Sequence, residues 1–544
     1  MAKKIGIDLG TTYSCVSYVD DMNVVRIIEN KEGEQTTPSV VFFDPDGSAV
    51  VGLTAKSEGA MNPECIVERV KNFMGDPNYT FLVHDKEYSA AAVSTLILRK
   101  LVADAEEKLG EEIEGAVITC PAYFGEEARN ATKIAGENVT LSNGKNLRVY
   151  KILDEPTAAA IAYGNSRQED MDKTVLIYDL GGGTFDCTIM KLAFHGGERQ
   201  MQVITTGGNH QLGGKDWDAA LANLVRQKFC DSTGVDISDM ESDVESVAWF
   251  SENIERAKKN LTNRETTSLT VYFDGKKERV EITRAEFEDA TSDLLEQTIF
   301  LVNDMIEKKS MNMMSDVDEI ILVGGSTYMP QVSARLTAEY GKTISSYEPN
   351  KAVAMGAALV AHDCTEVETS PMFVPGGQEE NNSAGGISLT NPMTGMKTVV
   401  IENCTKSYGL RIISAGQPKV LNLVVKDTPK PAHGSSIEHF PLTITGDPAP
   451  VSEVNILVLE NDSLEEMVEL SDCNEIYVEE PIQFEGAVPG DNQVSVDLDV
   501  DANGIVSLSL TDQVTGKVYH MSPKRKSDEA NQEGMSSAGG MTLR

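Results

Sequence analysis

The chain of 544 residues carries 47 Lys and Arg against 85 Asp and Glu, a formal net charge of −38 at pH 7. With 40% apolar residues it can bury real cores, and its length fits two to four domains at roughly 100–200 residues each. So acidic a chain is repelled by phosphate backbones and anionic lipid, which argues against nucleic acid or a membrane as main partner. Any polyanionic ligand must then be held by a local feature that overcomes the overall field. The eight cysteines are scattered, with no Cys-x-x-Cys pair and no His at zinc-finger spacing, as reduced core residues would be. Met1–Asp8 contains no apolar signal stretch and no run of about 18 apolar residues occurs, so the expectation is a soluble, cytoplasmic, multidomain protein.

In chain order, short apolar runs alternate with helical patterns up to about Ala361. Helical spacing appears over Ala91–Leu109 and Arg284–Glu307; Val117–Thr119, Val175–Tyr178 and Glu319–Val323 read as strands. This alternation predicts α/β layers. Residues 363–398 are rich in Gly, Asn, Ser, Thr, Pro and Glu and read as an extended polar connector. From about Val399 the pattern becomes short strands with Gly, Pro, Asn and Asp turns: Val420–Val425, Val454–Leu459, Gln493–Val500 and Ile505–Leu510. The last two are joined by Asp501-Ala-Asn-Gly504, a strong hairpin signal, so this part is an all-β domain. The polar end, with its basic cluster Lys524-Arg525-Lys526, reads as a frayed tail.

One pattern occurs twice. Ile5-Gly-Ile-Asp-Leu-Gly-Thr-Thr12 and Leu176-Ile-Tyr-Asp-Leu-Gly-Gly-Gly-Thr-Phe-Asp186 are each an apolar strand, an Asp-Leu-Gly core, a Gly/Thr turn and a second apolar strand. Ile320-Ile-Leu-Val-Gly-Gly-Ser-Thr327 is a third relative. Glycines let backbone N–H groups approach phosphate oxygens, hydroxyls add donors, and an Asp at each strand end can hold a hydrated Mg²⁺. Either turn alone could be an ordinary hairpin; two facing turns would clamp a nucleotide's phosphates between two lobes. There is no Gly-x-x-x-x-Gly-Lys-Ser/Thr loop, Gly-x-Gly-x-x-Gly fingerprint, Gly-x-Ser-x-Gly elbow or His-Glu-x-x-His helix. Asp154-Glu-Pro-Thr-Ala-Ala-Ala160 reads as a helix start, with Glu155 either a cap or a carboxylate ordering a metal's water shell.

These motifs, with Thr119-Cys-Pro-Ala-Tyr-Phe124 and Val323-Gly-Gly-Ser-Thr327 in the same order, make the chain resemble the 70-kDa heat-shock chaperone family, bacterial DnaK type, over most of residues 3–520. The resemblance implies an α/β two-lobe actin-like ATPase domain over 1–362 and a polar connector with apolar linker over 363–404. An all-β sandwich over 405–520 would bind substrate, and a disordered tail would occupy 521–544. It implies ATP or ADP with Mg²⁺, and K⁺ as a further cation the site could take. By the same resemblance Lys71, Glu155, Asp179 and Thr184 are the catalytic set, with Asp8, Asp179 and Asp186 toward metal. Gly10, Thr11, Thr12, Tyr13, Gly181, Gly182, Gly183, Gly213 and Gly214 would close on the phosphates. Glu255, Lys258, Lys259 and Thr262 would grip adenosine, with Tyr328 beside the adenine, and Gly324, Gly325 and Ser326, like Gly213 and Gly214, would belong to turns that close over the nucleotide. Val399, Val400, Ile401 and Glu402 would be the linker. Leu410, Ile412, Ile444, Val454 and Ile456 are peptide-contact candidates that could equally be sandwich core.

The chain departs from the family pattern in four places. Tyr328 stands where Arg is usual beside the adenine. Lys151 and Asp154 replace the usual Arg and Asn near the surface that J-domain cochaperones contact. The linker Val399-Val-Ile-Glu402 follows an unusual connector. Nothing after Tyr519 supplies the roughly 90–100 residues of a helical lid. The implied activity is an ATP-dependent chaperone of extended or unfolded apolar peptide segments, served by a J-domain cochaperone and an exchange factor. The alternatives are a nucleotide-binding scaffold or exchange factor with a vestigial ATPase, and, on the same fold, a small-molecule kinase.

Overall fold

A computed structural model describes residues 2–59, 62–167, 171–195, 198–364, 386–414, 417–441, 443–445, 451–477, 480–485, 491–513, 516–521, 525–539 and 541–543. The first lobe begins with the antiparallel pair β1 (Lys3–Asp8) and β2 (Tyr13–Val19), extended by β3 (Val25–Ile28). Helix α1 (Leu53–Gly59) follows at the rim. Helix α2 (Ala90–Leu109) starts at Ser89, whose side chain accepts from Ala92 N–H at 3.2 Å, and stops at Gly110 in the left-handed region (φ 65°). β4 (Ile113–Cys120) lies parallel to β1; after helix α3 (Glu126–Glu137), β5 (Arg148–Asp154) completes a sheet ordered β5-β4-β1-β2-β3, with Thr37–Pro38 paired to β2.

Helix α4 (Glu155–Asn165) leaves β5 directly. The second lobe repeats the plan: β6 (Met171–Leu180), β7 (Phe185–His195) and β8 (Glu198–Asn209) form an antiparallel meander. Helices α5 (Gly214–Thr233) and α6 (Val244–Asn263) cover it, and β9 (Glu319–Val323) and β10 (Thr343–Ser346) add parallel strands beside β6. The helical pattern over Arg284–Glu307 resolves into two helices, Arg284–Ala290 and Ser292–Lys308. They break at Thr291, whose hydroxyl donates to Phe287 C=O at 2.8 Å. Helix α7 (Ala352–Asp363) crosses α4 between the lobes. A Cβ on Gly356 would fall 1.8 Å from Ala158 O and one on Gly6 2.1 Å from Ala358 N, so these two glycines are what let α7 pack so closely on α4 and β1.

The expected polar connector is partly sheet. β11 (Ile387–Thr390) and β12 (Lys397–Ile401) form a hairpin, and β12 pairs in parallel with β8, so the second-lobe sheet runs β10-β9-β6-β7-β8-β12-β11. Alternate apolar residues explain it: Val400 is fully buried and Leu389 packs beside it. The rest of the connector, 365–385, lies outside the described residues.

The C-terminal part is a sandwich. β13 (Ser407–Ser414), β14 (Gln417–Val424) and β16 (Val458–Asn461) belong to one sheet; β15 (Ala432–Pro441), β17 (Asp491–Val500), β18 (Val506–Asp512) and β19 (Val518–Met521) form the other. Asp501 Oδ1 accepts from Asn503 and Ile505 N–H, and Gly504 takes φ 80°, which makes the turn between β17 and β18. The single run expected over Val454–Leu459 divides: Val451–Ile456 pairs in a separate small sheet, and β16 in the sandwich.

The expected disordered tail is instead helix α8 (Asp528–Gly539), seated on α2 of the first lobe. Its glycine permits the approach, since a Cβ on Gly534 would lie 2.5 Å from Ser89 N. Ala538 and Met541 join the first-lobe core, Arg99 donates to Met541 O at 2.9 Å, and Ala49 N–H donates to Thr542 O at 2.9 Å.

Candidate functional site

A cleft of about 1140 Å³ separates the lobes. The two Asp-Leu-Gly turns face each other across it: a Cβ on Gly182 would come within 2.1 Å of Thr12 Oγ1, and one on Gly183 within 2.6 Å of Thr11 Cγ2. The third turn closes from behind. Gly324 (φ 84°) sits against Leu180 O and Asp179 Oδ1, and Ser326 hydroxyl donates to Gly181 O at 2.9 Å. At the floor, the short helical turn Val70–Phe73 brings Lys71 to Glu155, both buried and hydrogen-bonded. Left-handed Arg69 (φ 57°) directs the chain into that turn. At the mouth, Tyr13 hydroxyl donates to Glu255 at 2.8 Å, and Lys56 of α1 pairs with the same carboxylate at 2.9 Å, so a first-lobe cation and a second-lobe anion bridge the opening.

The floor holds more acid than base. Burial, the Glu155 charge and, against them, Lys71 leave the Asp8 carboxyl up at about 7. Burial, then Glu155, push Asp179 and Asp186 well above the carboxylate range. Burial opposes the charge of Lys71, but Glu155 and Asp8 outweigh it and raise its pKa. Asp186 Oδ1 is buried without a hydrogen-bond partner. Among the described residues no three His, Cys, Asp or Glu side chains converge into a closed metal site. The floor therefore fits a hydrated cation held jointly with phosphates, whose charge would relieve the excess of buried carboxylates.

Of the expected residues, Asp8, Gly10, Thr11, Thr12, Tyr13, Lys71, Glu155, Asp179, Gly181, Gly182, Thr184, Gly214, Glu255, Lys258, Lys259, Thr262, Gly324, Gly325, Ser326 and Tyr328 line the cleft. Gly183, Asp186 and Gly213 stand behind it, Gly213 packed on Gly183. Tyr328 is half exposed and donates to Asn350 Oδ1 at 3.2 Å. Lys56 was missed, as was Asp218, which pairs with Lys258 at 2.8 Å. Neither stands in a recognisable motif; the one available signal is that Asp218 lies a helical turn beyond Gly214.

In the β domain, Leu410 and Ile456 are buried in the sandwich core, which removes them as peptide contacts. Ile412 is half-buried on the same strand. Ile444 and Val454 lie on paired strands, with side chains outside the described residues. Asp154, expected near an exposed cochaperone surface, is 3% exposed.

The chain matches the family model described as Hsp70 protein over residues 4–371. Over 521 residues it is 34% identical to proteins named Chaperone protein DnaK from two strains of Halobacterium salinarum, covering 94% of this chain and 74% of each relative. A two-lobe cleft of this construction with a β-sandwich behind it defines an actin-like ATPase joined to a binding domain. The chain belongs to the 70-kDa heat-shock protein family. It is an ATP-dependent chaperone and an ATPase of that family, whose members bind ATP or ADP with Mg²⁺.

Proposed function

We propose that Lys71 and Glu155 act directly in ATP hydrolysis. The Lys71 ammonium would neutralise charge developing on the γ-phosphate and position the attacking water; Glu155 would order that water. Thr11, Thr12, Gly181, Gly182 and Thr184 would cradle the phosphates, and Asp8, Asp179 and Asp186 would hold the hydrated Mg²⁺, with K⁺ a candidate second cation. Mg²⁺ supplies charge neutralisation when bound. Glu255, Lys258, Lys259, Thr262 and Tyr328 would hold the nucleoside. The observation that carries this reading is the buried Lys71–Glu155 pair on the floor beneath two facing Gly/Thr turns.

The linker Val399–Glu402 would report nucleotide state by docking as β12, so that ATP controls how the β domain holds extended or unfolded apolar segments. A J-domain cochaperone and an exchange factor are the partners this cycle implies, in the cytoplasm. Among the described residues no helix is long and apolar enough to cross a membrane.

The test is steady-state ATP hydrolysis by the purified chain with no acceptor. Sustained turnover abolished in Lys71→Ala supports the reading; absent turnover indicates a scaffold, and turnover only with an added metabolite indicates a kinase.

A further inference from the structure

Where β5 ends, five ionisable side chains from four segments meet out of contact with solvent. Lys151 and Asp154 come from β5, Arg129 from α3, Glu402 from the residue after β12, and Lys430 from the β domain; none has a side chain more than 9% exposed. Arg129 Nη2 lies 2.6 Å from Asp154 Oδ1. Lys430 Nζ lies 3.5 Å from Asp154 Oδ2 and 3.8 Å from Glu402 Oε2. Lys151 Nζ lies 3.3 Å from Glu402 Oε2 and donates to Ala502 O, in the β17–β18 turn, at 2.8 Å. Asp154 N–H donates to Glu402 Oε1 at 3.2 Å, and Ile152 N–H to Asn503 Oδ1 at 3.1 Å.

Cations outnumber carboxylates here, three to two. Arg129, Lys151 and Asp154 belong to the first lobe in any arrangement of the domains, whereas Lys430 enters only when the β domain docks. An ammonium that loses its water on docking must find a counter-charge, or the docked state bears an unpaired buried ion. Both carboxylates are already shared, Glu402 with Lys151 and Asp154 with Arg129, and Asp154 is the nearer of the two to Lys430, at 3.5 Å against 3.8 Å. The departure from the family pattern at Asp154 thus has a partner in the other domain.

We propose that Asp154 is a positioning residue: the counter-ion that admits Lys430 to the interface and so sets how much of the protein is docked. The inference rests on the reading that docking responds to nucleotide. It predicts an asymmetry that a purely local role for Asp154 does not. Asp154→Asn leaves three buried cations with one carboxylate and disfavours docking. Lys430→Met alone leaves two of each and is tolerated. Adding Lys430→Met to Asp154→Asn removes the cation that had lost its partner, and restores docking.

The experiment is interdomain energy transfer between fluorophores on the first lobe and the β domain of the full chain, titrated with a non-hydrolysable ATP analogue. The expected result is a docking equilibrium lowered at least 10-fold in Asp154→Asn, within about 3-fold of wild type in Lys430→Met, and at least half recovered on a logarithmic scale in the double variant. Wild-type-like docking in Asp154→Asn, or no recovery in the double variant, overturns the proposal. A wild-type chain whose signal ignores the nucleotide would sink the coupling reading instead, while the comparison of variants would still measure the pair.

Discussion

Thr12 and Gly182 meet head-on across the cleft, with no room for a Cβ on the glycine: it would stand 2.1 Å from the threonine hydroxyl. Thr12 belongs to the first lobe and Gly182 to the second, so this contact fixes how closely the two Gly/Thr turns approach. Gly182→Ala should push Thr12 aside and weaken ATP binding by about 10-fold, near 1.4 kcal/mol, with the fold intact. Calorimetric titration alongside circular dichroism checks this; unchanged affinity would mean that the turns yield freely.

Lys71→Ala should leave ATP binding largely in place and lower single-turnover hydrolysis by roughly 10²-fold or more, because the contact removed is made to charge that develops in the transition state. Hydrolysis at the wild-type rate would remove Lys71 from the catalytic set.

Residues of β12 should differ sharply according to face. Val400 is fully buried, whereas Val399 is 39% exposed. Val400→Asp places a carboxylate in the second-lobe core at a cost of several kcal/mol and should abolish ATP-triggered peptide release. Val399→Asp should release peptide within about 2-fold of wild type. Equal effects at the two positions would mean that β12 does not dock in this register.

The mouth should control nucleotide exit. Glu255 accepts from Tyr13 and pairs with Lys56 and Lys259. Glu255→Gln keeps the shape and removes the charge, so ADP release, followed by stopped-flow fluorescence, should accelerate about 3-fold to 10-fold. Slower release in the variant would contradict a closing role.

Burial pushes the Glu126 carboxyl up to about 7, with Arg525 pulling the other way. The native state therefore holds this proton more tightly than the unfolded chain, whose value is near 4.5. The stabilisation is complete below pH 4.5 and is lost as pH rises to about 7, an effect of at most about 3 kcal/mol. Urea unfolding of wild type and Glu126→Gln at pH 5 and pH 7.5 should show the wild type gaining relative to the variant at the acid end. The same difference at both pH values would show that Arg525 keeps Glu126 ionised throughout.

That two Gly/Thr turns face each other was legible because their pattern is local: Asp8-Leu-Gly10 and Asp179-Leu-Gly181 each carry strand, turn and hydroxyl donors within a dozen residues. Lys56 was not, since its importance arises only when α1 and α6 face each other over the cleft. Nor was the Asp154–Lys430 pair, whose members are 276 positions apart. The tail misled by composition. Gly534 and Ala538 look like loop residues, yet their small size is what lets α8 lie against Ser89 and enter a core. Leu410 and Ile456 show the limit within strands, because an apolar residue lining a groove and one filling a core read the same until the opposite sheet is in place.

The hairpin of β11 and β12 also has a mechanical meaning. β12 is paired on both edges, to β8 over Lys397–Ile401 and to β11 over Lys397–Val400. Tension applied by the β domain enters at Ile401. Directed along the strand, it loads both ladders at once in shear; directed outward from the sheet, it peels them one residue pair at a time. The joint is thus stiff in one direction and compliant in another, so the direction of a load on the β domain decides how readily β12 gives way.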